Sequence, residues 1–136
     1  MATIASVISS FLDVEITGVK RYYDAPPLSI STAEMPFVFI RNPKVTSGTG
    51  LTFGTTLPNY INLSFEYVIY IEQGRQSTQK DKLDLALSFL QRVATAFSVN
   101  SSSLFIDDFS SEVLYETHGD SVGLIINTTV TCSFGL

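Results

Sequence analysis

The alternation between Ile61 and Ile71 constrains this chain more than any other stretch. Ile61, Leu63, Phe65, Tyr67, Ile69 and Ile71 are apolar at every second position, and Asn62, Ser64, Glu66, Tyr70 and Glu72 fill most of the gaps. Successive side chains of a strand point to opposite faces, so the spacing predicts a strand over 61–72 with one buried face. Gln73 to Ser77 is a polar break, and its Gly74 suits a turn. Thr78 then has the chemistry of a helix N-cap, with Asp81 completing a weak capping box.

Beyond that cap the apolar period changes to that of a helix over 78–98. Leu83, Ala86, Leu87, Leu90, Val93, Ala94 and Phe97 fall on one face, with Leu90 at its centre. They fill an arc of roughly 120° at about 100° per residue. Leu85, Phe89 and Ala96 widen it to roughly 200°, where an arc of roughly 100° would seat a helix on a sheet. Two readings follow from that width. Either the helix is deeply buried in its own domain, or Leu85, Phe89 and Ala96 pack on another subunit, with Arg75 and Gln76 at the rim of that contact.

The remaining chain supplies the rest of a sheet. Ile4, Val7, Ile8, Phe11 and Leu12 form a short amphipathic helix, capped by Thr3, that must lie on something to be stable. Gly18 ends the following turn, and Val19–Tyr23 is a short candidate strand. The segment 24–36 holds Pro26, Pro27 and Pro36 and reads as an extended loop. Phe37–Ile40 reads as a buried strand stopped by Asn42-Pro43. The Gly- and Thr-rich segment from Lys44 to Tyr60 reads as a hairpin or an ordered loop. Its spaced Leu51, Phe53 and Leu57 make it a candidate docking arm, since segments of that length within a domain are usually functional or disordered.

Asn100–Ser103 is a polar linker, Glu112–Thr117 a strand and His118–Ser121 a turn. Val122 to Phe134 is a long alternating strand broken at Thr128. Hairpins outnumber possible crossovers. The expected fold is therefore a single α+β domain, residues 1–136, with a largely antiparallel mixed sheet. A short N-terminal helix and one long helix pack on one face of it.

Chemistry is sparse. Only 15% of the 136 residues are charged, against about 25% in a typical soluble domain, and mean hydropathy is positive. No apolar run approaches the roughly 20 residues of a membrane helix, so the poverty of charge points to surface hidden in an assembly. A net charge of −5 disfavours broad binding to nucleic acid. The single Cys132 excludes an intrachain disulfide and alternates with apolar neighbours, as a core residue does. No signal peptide is expected, so folding in a reducing cytoplasm is, and the Asn-x-Ser/Thr triplets at Asn62, Asn100 and Asn127 read as chance.

His118, the one histidine, sits in a turn with no nucleophile elbow nearby. Asp107, Asp108, Glu112, Glu116 and Asp120 form an acidic segment without metal-ligand spacing, better read as a solvated edge that discourages unwanted strand pairing. The glycines at 48, 50 and 54 match no phosphate-binding loop. The expectation is no enzyme, no cofactor and no metal.

The order of these elements resembles a known family. A short N-terminal helix leads to Val-x-x-Tyr-Tyr, Asp-Ala-Pro-Pro, Met-Pro-Phe-Val-Phe-Ile and a Gly/Thr-rich insertion. The alternating strand, a Gly-Arg-Gln turn, the long helix and a final Val-Thr-Cys-Ser-Phe strand follow. Nearly the whole chain, as a pattern, resembles the tail terminator (tail completion) proteins of long-tailed bacteriophages. The resemblance implies a virion protein of the tail–neck region, assembled in the host cytoplasm. It implies a homo-oligomeric ring, usually a hexamer, that caps the head-proximal end of the tail tube and stops its growth. The implied partners are the tail tube protein and a head-completion or neck protein. DNA would pass through the lumen without sequence-specific binding, and no membrane is involved. The alternatives are another neck or tail component, such as a head-completion or tube protein, or a small-ligand-binding α+β domain with a pocket between sheet and helix.

Overall fold

The alternating stretch forms the central strand of the sheet. The computed structural model describes residues 3–23, 36–48, 60–74, 83–118 and 121–135. The elements are α1 (Ile4–Asp13), β1 (Arg21–Tyr23), β2 (Phe37–Gly48), β3 (Tyr60–Gly74), α2 (Leu83–Val99), β4 (Ile106–His118) and β5 (Ser121–Gly135). The strands lie in the order β1-β2-β3-β5-β4. β1 runs parallel to β2, and the other neighbours are antiparallel. β3 and β4 are both antiparallel to β5, so they run parallel to each other, and α2 makes the crossover between them. The fold is the expected α+β arrangement, a five-stranded mixed sheet with a short and a longer helix packed against it.

Both helices pack on one face of the sheet. Thr3 caps α1 through a reciprocal pair with Ser6, and Val7 and Phe11 drive into the core. From β3, Leu63, Phe65, Tyr67, Ile69 and Ile71 meet them there, with Leu124, Ile126, Val130, Cys132 and Phe134 from β5. Phe97 of α2 is the hub. Its ring lies edge-on to Phe11 at 5.3 Å, Tyr67 at 5.0 Å and Phe109 at 5.7 Å, so one side chain joins α1, α2, β3 and β4. The buried hydroxyl of Tyr67 has no hydrogen-bond partner among the described residues, and burial drives its pKa far above that of an ordinary phenol.

Several expectations need correction. Asn42-Pro43 does not stop β2. Asn42 takes a left-handed φ of 54°, the register shifts between Arg41 and Lys44, and pairing with β3 resumes from Lys44 opposite Ser64. A bulge absorbs an extra residue and tolerates a proline that has no N–H to offer. The Gly/Thr-rich segment is thus entered and left by a paired hairpin. β3 is also more than half-buried. Val68 and Tyr70 join Phe37, Phe39 and Ile125 in a second core on the far face of the sheet. The Tyr70 ring stacks on Phe37 at 5.4 Å and lies over Gly123, where a Cβ would come within 2.1 Å of its hydroxyl. β4 begins at Ile106, and β5 continues through Thr128, whose buried hydroxyl shares a 2.8 Å hydrogen bond with Ser111.

The buried face of α2 is rotated from the predicted one. Ala86, Phe89, Val93 and Phe97 are buried, Leu90 lies at the margin, and Leu83 and Leu87 are 43% and 47% exposed. Ala86, Val93 and Phe97 keep their predicted burial and Phe89 joins them, and the rings of α1, β3 and β4 around Phe97 hold that rotation.

Truncating the hub should therefore cost more than truncating the leucines of the predicted stripe that stay exposed. Phe97→Ala is expected to lose about 3–5 kcal/mol of unfolding free energy in urea. Leu87→Ser is expected to stay within about 0.5 kcal/mol of the parent.

Candidate functional site

Of the residues proposed for partner contact, the described ones do not form one exposed patch. Leu51, Phe53, Leu57, Arg75 and Gln76 lie outside the described residues, as do the Thr78 cap and Asp81. Of the helical trio, Leu85 is 38% exposed and remains a surface residue. Phe89 is 2% exposed, inside the protomer's own core, and Ala96 is partly buried against that core. Phe89 is thus removed from any subunit contact. Its ring also carries the Arg92 guanidinium at 4.6 Å, and Arg92 Nη1–H donates to the Thr17 carbonyl at 2.8 Å. Gly18, at φ 96°, makes this closure possible, since a Cβ there would stand 2.9 Å from Arg92 Nη1. Arg92 thereby pins the α1–β1 connection onto α2.

That connection and the outer side of α2 enclose two adjoining open grooves of about 590 and 440 Å³. They share Glu15, Thr95 and Ala96. Asp13 and Val99 line the larger one and Arg92 the smaller. Neither lies between sheet and helices, where the packed side chains of the main core sit.

The far face of the sheet holds a charged cluster that sequence spacing did not predict. Arg41 Nη2 lies 3.0 Å from Glu116 Oε1 and 3.5 Å from Asn127 Oδ1, and its Nε lies 3.7 Å from Glu66 Oε2. Asn42 donates to the same Glu66 carboxylate. Arg41, Asn127 and the two glutamates come from all four long strands, so only the register brings them together. The signal in the sequence is one arginine directly after an apolar run, and it names no partner. The cluster divides the aromatic end of this face, around Phe37 and Tyr70, from a polar end with Asn62, Ser64, Thr129 and Ser133. Burial and the nearby Glu116 carboxylate raise the Tyr70 hydroxyl to about 12, with Arg41 opposing.

Among the described residues, no group of three or more His, Cys, Asp or Glu side chains gathers to hold a metal, and no helix is long and apolar enough to cross a membrane. Within the acidic segment, Glu116 binds Arg41 and Asp107 meets the Ser133 hydroxyl, while Asp108 and Glu112 are exposed. Cys132 is a buried free thiol, pushed up to about 12 by burial and by Asp107. No family model matches this chain, and no curated protein matches its sequence.

Two outcomes follow. Arg41→Ala removes the cation shared by Glu66, Glu116 and the buried Asn127 amide, and is expected to cost about 1–3 kcal/mol in urea unfolding, against nearly nothing for Lys44→Ala. The Cys132 thiol binds its proton more tightly folded than unfolded. Its contribution is fully present below the ordinary thiol value of 9.0 and is lost as pH rises towards about 12. Unfolding free energy should fall across that window, and less steeply in Cys132→Ala. A thiol reagent should reach Cys132 only in denaturant.

Proposed function

We propose that this chain is a non-enzymatic structural subunit of a long-tailed phage, similar to tail terminators. It would form a ring, six-fold in the usual family pattern, on the head-proximal end of the tail tube. There it would stop tube growth, receive the head-completion or neck protein, and leave a lumen for DNA. The observation that carries this reading is the element order: a capped N-terminal helix, a short strand, a hairpin around a Gly/Thr-rich insertion, one long helix and a closing hairpin. That order runs through the resembling sequence and is also the order of the folded elements.

Two surface features support an assembled state. Leu83, Leu85 and Leu87 at the start of α2 are all exposed, as are Phe105 and Tyr115. Such side chains, in a chain with so little charge, favour burial against a partner. The acidic balance also suits a duct that must not grip phosphates. Another neck or tail component would share these features. A ligand-binding domain is less well supported, because the two grooves are open and lie outside the sheet–helix layer.

Electron micrographs of tails assembled without this protein test the reading. The expected result is tubes of uncontrolled length that fail to join heads, restored by adding the purified protein. Tails of normal length that join heads would sink it. A ligand-shifted melting temperature of a lasting monomer would favour the ligand-binding domain instead.

A further inference from the structure

The two sides of the sheet carry opposite charge. On one side β4 has β5 as its only neighbour among the described residues, along all of Ile106–His118. That strand carries Asp107, Asp108, Glu112 and Glu116 and no lysine or arginine. On the other side β1 pairs with β2 only over Phe37–Phe39, so past Phe39 the described partner of β2 is β3 alone. Lys20 and Lys44 stand exposed there, and neither β1 nor β2 contains a carboxylate.

The charges also share a face. Lys44 pairs opposite Ser64, which alternates with Glu66, Val68 and Tyr70 on the far face of the sheet. Asp108 and Glu112 pair opposite Thr131 and Asn127, and alternation from Ile125 puts these on the same far face. In a sheet continued from one molecule to the next, side chains on one face of adjoining strands are neighbours. A carboxylate row would then meet a cation, not another carboxylate row.

We propose that the β4 edge of one copy adds to the outer edge of β2, at Lys44–Gly48, in a second copy of this chain. The acidic residues play two parts in that contact. They repel another β4, which forbids the symmetric edge-to-edge pair, and they attract the basic edge, which selects a head-to-tail one. Backbone hydrogen bonds would supply the contact and charge its partner choice. A head-to-tail contact repeats and closes if its rotation allows. Closure into a ring rests on the tail-terminator reading, whereas the edge contact itself does not.

Paired charge reversals test this. One variant carries Lys44→Glu with Thr46→Glu, and the other carries Asp108→Lys with Glu112→Lys. Association of each, and of the parent, is measured by sedimentation over a concentration series at low salt, with circular dichroism confirming the fold. The parent should self-associate, each variant should do so more weakly by roughly tenfold or more, and an equimolar mixture of the two should regain the parent's behaviour. Only a head-to-tail contact allows that rescue, because each variant keeps one native edge and the two altered edges complement each other. Amide exchange over 106–116 and 44–48 should slow in the associated state. If the parent associates and both reversals leave it unchanged, or the mixture regains nothing, the edge contact is refuted while the ring reading stands. A parent that stays monomeric throughout also refutes the edge contact, and the tail micrographs then decide the ring reading separately.

Discussion

The structure depends on one aromatic side chain meeting several elements at once. Phe97 is wholly buried and edge-on to rings from α1, β3 and β4. Edge-to-face ring pairs add roughly 0.5–1.5 kcal/mol each beyond the area they bury. The contribution to specificity is larger than those energies suggest. α1 is too short to hold its shape alone, and its Phe11 finds both Phe65 and Phe97 only when α2 sits at one rotation on the sheet. The hub therefore sets the rotation of α2, and with it which leucines are left outside.

β3 transmits that choice across the sheet. Its first half has a polar far face at Asn62, Ser64 and Glu66, and its second half is apolar on both faces from Tyr67 to Ile71. The change comes beside the bulge in β2, where Arg41 gathers Glu66, Glu116 and Asn127. An arginine at such a seam meets carboxylates from separate strands. Gly123 belongs to the same device, because only the absence of a side chain lets the Tyr70 ring lie flat against β5.

Among the described residues, the charge on the sheet gathers at its two edges and at the seam around Arg41. With so few ionisable groups, their segregation matters more than their sum. Carboxylates run along β4, and cations flank β1 and the bulged part of β2. The cores contain none. An arrangement of this kind does little for the stability of the single protomer, since exposed charges interact weakly through water. In the edge contact we propose, it would act on which edges of two molecules can approach each other.

Local periodicity determined the elements, because period and side-chain chemistry are properties of the neighbouring chain. The alternation at 61–71, the capped α1, the long strand to Phe134 and the burial of Cys132 were all legible in that way. So was the class of fold. The sequence could not set the limits of the buried face of α2, because hydrophobicity has no shape, and Phe89 is buried where Leu83 and Leu87 are exposed. Nor could it see past Asn42-Pro43, where pairing with β3 outweighs a local stop signal. The Arg41 cluster and the cations on the edge opposite the acidic one belong to the tertiary structure alone. Strand order and register decide which distant residues become neighbours, and neither is written in the spacing of any single segment.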